Sequence, residues 1–89
     1  MNLNISRRSH QFLEDLQPKH YKQVTGKLLD LMRNPRPNDC RHLAGHPGFY
    51  RVTAGEYRIV YRTASDVVHV AVINVRNDDA AYRELERVT

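Results

Sequence analysis

A change of hydrophobic period near its middle constrains this chain more than any other feature. Before residue 34 apolar residues recur at the three- and four-residue intervals of a helix face, whereas from Tyr50 to Val75 they alternate or run on as they do in strands. With 89 residues the chain has room for one modest core, so helices and strands must share it. The expectation is a single domain over residues 1–89, an α/β fold of the α+β type.

The elements follow from local chemistry. Leu3 to Ile5 can form a short first strand, and Ser6 or Ser9 offers a hydroxyl to cap a helix whose inner face holds Phe12, Leu13 and Leu16. Pro18 suits the first turn of a second helix, where its missing N–H costs nothing. Tyr21, Val24, Leu28 and Leu31 then recur at helical spacing until Asn34-Pro35 stops it. Gly26 inside that helix costs about 1 kcal/mol relative to Ala, and either packing overrides the loss or the glycine marks a close helix approach.

Residues 34–48, with three prolines and two glycines, read as an irregular connection. Beyond it, Tyr50 to Ala54, Tyr57 to Arg62 and Val67 to Val75 form a three-stranded antiparallel meander turning at Gly55-Glu56 and Ala64-Ser65-Asp66. Alternation sets Tyr57, Ile59 and Tyr61 against the core and Arg58, Val60 and Arg62 on the opposite face. The continuous Val/Ile content of the last run predicts a strand buried on both faces. Asn77 can cap a final helix with Asp78 and Asp79 at its positive end, burying Ala81, Leu85 and Val88.

Composition narrows the class. The chain is 40% hydrophobic and 27% charged, as in folded soluble proteins, with no apolar run long enough to span a membrane. Arg7 and Arg8 precede no apolar stretch of the kind a secretory signal needs, and Cys40 is the sole cysteine, so a reducing cytoplasm is expected. Cys40 has no neighbouring base in sequence and reads as an ordinary thiol. The net charge of +4 is compatible with a nucleic-acid partner. Residues 41–62 carry four arginines against one acid, while residues 63–89 carry three against five acids.

The stretch Leu43-Ala44-Gly45-His46-Pro47-Gly48-Phe49-Tyr50-Arg51-Val52, followed by Gly55-Glu56-Tyr57-Arg58-Ile59-Val60-Tyr61, resembles the central signature of the RelE/ParE superfamily of toxin-antitoxin toxins. The helix pair ending at Asn34-Pro35-Arg36, and Val72-Ile73-Asn74-Val75 running on to Tyr82, follow the same order, so the resemblance covers essentially the whole chain. It implies a RelE-like fold of a strand, two helices, a three-stranded meander and a C-terminal helix. It also implies one of two activities: RelE-like members cut messenger RNA in the ribosomal A site, and ParE-like members inhibit DNA gyrase without cutting. A cognate antitoxin, forming a hetero-oligomer with the toxin, is implied in either case.

Metal-independent RNA cleavage needs a deprotonated ribose 2′-OH, positive charge on the phosphorane and a proton for the departing 5′-oxygen. The resemblance assigns phosphate stabilisation to Arg58, with Arg51 as a basic partner on the neighbouring strand and Tyr82 as a residue that stacks on a base or exchanges protons. Arg76 is a substitute donor, and Arg62 and His46 are candidate RNA contacts. No zinc spacing or paired-histidine motif is present, so neither metal nor cofactor is expected. The chain departs from the catalytic pattern at Arg76-Asn77-Asp78-Asp79-Ala80-Ala81-Tyr82, where two acids replace expected positive charge, and at Thr53, which replaces a second basic residue. These departures support the alternatives, a gyrase inhibitor or a toxin fold kept only to bind its antitoxin.

Overall fold

The computed structural model describes residues 1–75. Strand β1 (Asn2–Ile5) leads into helices α1 (Arg7–Glu14) and α2 (Pro18–Arg33), followed by β2 (Arg41–His42), β3 (Tyr50–Ala54), β4 (Tyr57–Ala64) and β5 (Val67–Val75). The strands form one sheet in the order β1-β5-β4-β3-β2. The predicted meander is its antiparallel centre, and β1 joins the far edge parallel to β5. The expected C-terminal helix lies outside the described residues, as do Arg76, Asp78, Asp79 and Tyr82.

Each helix starts and stops where side-chain chemistry dictates. Ser6 caps α1, its Oγ accepting from the Ser9 N–H at 3.2 Å. Pro18 occupies the first turn of α2, and Asn34 ends it in extended conformation before Pro35. Val24, Leu28 and Leu31 are buried at helical spacing, and with Leu13 they pack on Val52, Ala54, Ile59, Tyr61, Val68, Val70 and Ile73 from the sheet. This is the main core, and the helices cover only one face of the sheet.

Three expectations need correction. Tyr21 does not join the inner face of α2 but is 46% exposed, because Val24, Leu28 and Leu31 already fill the stripe that meets the sheet. Gly26 marks no close approach, since a Cβ built there meets nothing within 4 Å. The 34–48 connection also contains a strand: β2 pairs antiparallel with β3, matching Arg41 to Arg51 and His42 to Tyr50. The His42 ring stacks on Tyr50 at 4.5 Å and the Arg36 guanidinium lies 3.7 Å over the same ring from its own side of the connection. Lys27 Nζ holds Asp39 Oδ2 at 2.8 Å, fixing the connection to α2.

The two hairpin turns differ. Gly55 has φ +62°, so the backbone favours glycine, whereas the Gln23 amide 2.5 Å from a Cβ built there is the end of an exposed, flexible side chain that can move aside. The β4–β5 turn uses two non-glycine residues at positive φ, Ser65 at 52° and Asp66 at 62°, the conformation of a type I′ hairpin.

A bulge decides what the uncovered face presents. Tyr61 pairs with Val70 and Val60 with Val72, so Ala71 is an extra residue on β5. The insertion reverses the alternation of β5: Val68, Val70 and Ile73 enter the main core, while Val72 packs with Leu43 and Val60 on the other side, beside Ala71 and Phe49. It also places Asn74 opposite Arg58. Ser6 Oγ sits 2.9 Å from the Ala71 carbonyl and 2.8 Å from Ser9 Oγ. Since a carbonyl can only accept, Ser6 donates to Ala71 and the buried Ser9 hydroxyl donates to Ser6.

Candidate functional site

The face of the sheet away from the helices carries every arginine of the described strands. Residues directly opposite in an antiparallel pair share a face, so the register reads out its rows. One row is Thr53, Arg58 and Asn74; the next is Arg41, Arg51, Val60 and Val72; beyond it stand Arg62 and His69. Arg51 and Arg58 are diagonal neighbours across β3 and β4, about 7–8 Å apart by strand geometry. Three successive strands thus each place an arginine at one corner of this face.

Among the described residues, the strands that carry these arginines hold no acid. The five strands contain no Asp or Glu, and Glu56 and Asp66 lie in the hairpin turns. Arg41 donates from Nη1 to the Asn38 and Cys40 carbonyls, which steadies its guanidinium without neutralising it. Arg51 makes no hydrogen bond or ion pair with another described residue. Like charges directly opposite on neighbouring strands destabilise a sheet, so the Arg41–Arg51 pair favours an anion placed between them. Arg58 is half-buried, which places its charge where a bound phosphate interacts across less water.

The middle of this face is closed. Residues 43–49 fold into a compact loop, with the Leu43 N–H donating to the Phe49 carbonyl and the Phe49 N–H to the His46 carbonyl. Gly45 at φ +79° and Gly48 at φ +85° permit the bend. Leu43 and Phe49 from its two ends pack on Val60 and Val72. His46 sits in this loop, half-buried, and its ring makes no hydrogen bond or ion pair with another described residue.

The structure therefore brings Arg51 and Arg58 together, adds Arg41, which sequence reasoning missed, and separates Arg62 from them. Arg58 and Arg62 share a face as expected but stand four residues apart with Val60 between, roughly 13 Å along the strand. Tyr57 and Tyr61 turn to the helix side, Tyr61 fully buried. The Tyr61 hydroxyl donates toward the Pro35 carbonyl and lies 3.3 Å from Cys40 Sγ; burial, helped by that sulfur contact, pushes its pKa above the ordinary phenol value. Cys40 is a free thiol engaged in this packing. Among the described residues no group of three or more His, Cys, Asp or Glu is placed to hold a metal. None of their helices is long and apolar enough to cross a membrane.

A sheet backed by two helices on one face, with arginines on the other, is an α+β architecture that known proteins share. No protein-family model matches. A protein from Methanocaldococcus jannaschii named "Putative toxin RelE1" is 28% identical over 85 residues, covering 92% of this chain and 94% of its own. A mutant of E. coli toxin RelE in the free state superposes with a TM-score of 0.80 at 24% identity, covering 99% of this chain and 97% of that one. RelE from the archaeal RelE-RelB complex of Pyrococcus horikoshii gives 0.74 at 23% identity, over 84% and 93%. Below 25% identity these structures speak for the fold alone. The fold is that of the RelE toxins, and the sequence relative is similar over nearly the whole of both chains.

Proposed function

We propose that the protein is the toxin of a type II toxin-antitoxin system, acting in the cytoplasm as a ribosome-dependent endoribonuclease on messenger RNA in the A site. The observation that supports this reading most is the placement of Arg41, Arg51 and Arg58 at one corner of the uncovered face, on three successive strands that contain no Asp or Glu. Cleavage begins when the ribose 2′-oxygen, losing its proton, attacks the adjacent phosphorus. The phosphorane gains negative charge, and the bond to the 5′-oxygen breaks as that oxygen is protonated, leaving a 2′,3′-cyclic phosphate and a free 5′-hydroxyl. Arg58 and Arg51 supply fixed positive charge where that charge develops, and a guanidinium fork matches two phosphate oxygens at once. No His, Asp or Glu stands in the rows holding these arginines, so proton transfer falls to groups brought to the corner. Tyr82 and Arg76 are the chain's own candidates, and the ribosome can preorganise the message. Arg62 and His46 contribute RNA contacts outside the corner.

Among the solved structures that share the fold is the intact E. coli RelBE toxin-antitoxin complex. A cognate antitoxin that covers the arginine corner would silence this protein in the same hetero-oligomeric manner.

The test is a defined translation reaction in which messenger RNA ends are mapped, with ribosome-free RNA and an Arg58→Ala variant as controls. Cuts at A-site codons that require both ribosomes and Arg58 are the expected result. Intact message from a protein that still arrests growth would overturn the nuclease reading in favour of a non-cutting, ParE-like action, checked by gyrase supercoiling.

A further inference from the structure

The polar residues at the far end of the uncovered face form a second cluster. Arg62 stands directly opposite His69, and Asn4 pairs with His69 from the other side across the parallel β1–β5 ladder. Asn4 Nδ2 and His69 Nδ1 are 3.2 Å apart. With the amide nitrogen donating, Nδ1 is the acceptor and the ring proton resides on Nε2, leaving an N–H donor for a ligand. Arg62 is exposed and makes no hydrogen bond or ion pair with another described residue. The cluster is therefore a guanidinium, an imidazole fixed by its neighbour, and an amide, side by side on three adjacent strands.

We propose that Arg62, His69 and Asn4 form a second backbone subsite for single-stranded RNA, separate from the Arg41–Arg51–Arg58 corner. This rests on the nuclease reading and extends it by naming where the flanking strand is held. Arg62 takes a phosphate, and His69 donates from Nε2 to a neighbouring phosphate or ribose oxygen. The Leu43–Phe49 loop, packed over Val60 and Val72, stands between the two basic sites, so a strand gripped at both must pass along its flank. Phe49, half-buried at the loop's end, offers a ring edge to a base there. Phosphate contacts of this kind fix register without reading sequence, so the subsite acts as a positioning device that holds one particular linkage at the corner.

The experiment titrates a short fluorescein-labelled oligouridylate into the purified protein at several salt concentrations, comparing wild type, Arg58→Ala and the double variant Arg62→Gln/His69→Gln. The subsite predicts that the double variant weakens binding about tenfold and lowers the slope of log affinity against log salt by about one. Its thermal midpoint should stay near wild type. In translation reactions the same variant should raise the message concentration needed for half-maximal cutting more than it lowers the maximal rate. His69 ring resonances in the wild type should also shift as oligouridylate is added. Wild-type affinity and salt slope in the double variant, with binding still lost in Arg58→Ala, would overturn the subsite and leave the corner standing. Failure of wild type to bind the oligonucleotide at low salt would overturn both.

Discussion

The two faces of the central sheet are built from the same strands, residue by residue in alternation, yet they obey different rules. The helix-backed face buries aliphatic side chains and Tyr61 against Leu13, Val24, Leu28 and Leu31. On the other face, among the described residues, Leu43, Val60 and Val72 are buried, and the strands present Asn4, Arg41, Arg51, Thr53, Arg58, Arg62, His69 and Asn74. The first face holds the main core, and the second is the one to which the proposed chemistry is assigned. A protein this small can separate them because the strand pleat sends neighbouring residues to opposite sides.

Arg58 and Ile59 test that separation most severely, being adjacent in β4. Ile59 is fully buried, so Ile59→Ala should cost about 2–5 kcal/mol, the usual range for truncating a well-packed aliphatic, read as a lowered urea midpoint. Arg58→Ala should leave the midpoint much closer to wild type and lower ribosome-dependent cleavage by about 10²–10³, as losing one fixed transition-state donor does elsewhere. If Arg58→Ala instead unfolds the protein as severely as Ile59→Ala does, the division of labour between the faces is wrong.

Periodicity was enough to place the helices, the meander and the side to which Tyr57, Ile59 and Tyr61 turn, because each strand or helix long enough to show a period also has to bury one face. It was blind where the period is broken or too short. The extra Ala71 is invisible in a run of valines, yet it determines that Ile73 packs inward and Asn74 meets Arg58. Strand β2 has two residues, too few to alternate, so Arg41 looked like part of a loop. His69 stands in an apolar run, and the parallel pairing of β1 reveals Asn4 beside it. Arg51 and Arg58 came from the family signature, since alternation alone says only that they face away from the core.

Ser6 connects the two faces. Its hydroxyl caps α1 on the helix side and satisfies the Ala71 carbonyl at the bulge. Ser6→Ala removes both interactions and should cost about 1–2 kcal/mol in thermal or urea unfolding. Cleavage should fall as well if the bulge sets the placement of Asn74 opposite Arg58. A stability loss with cleavage intact would show that the bulge holds its register without Ser6.

Gly26 tests the helix layer in the opposite direction. It is exposed in the interior of α2 with open space where a Cβ would go, so Gly26→Ala should stabilise the protein by about 1 kcal/mol through helix propensity and a less flexible unfolded chain. RNA cleavage should not change, because the substitution lies across the sheet from every arginine of the corner. A change in cleavage would mean that the helix layer does more than support the sheet.

The smallest effect concerns the strap that carries Arg41 to its place. The Lys27 ammonium, hydrogen-bonded at 2.8 Å, holds the Asp39 carboxyl below its ordinary value of 3.8, with Arg41 adding a smaller pull in the same direction. A carboxyl with a lowered folded pKa contributes stability that is fully present above its unfolded value and is lost as pH falls through the folded one. Asp39→Asn should therefore cost less than about 1 kcal/mol at neutral pH, since a pair this exposed is screened by water and salt. The difference from wild type should shrink to nothing as urea midpoints are followed below pH 3.8. Because Asp39 lies two residues before Arg41, the same substitution should loosen the arginine corner slightly and raise the message concentration needed for half-maximal cutting. An unchanged requirement would show that the ladder to β3 and the His42–Tyr50 stack hold β2 without the strap.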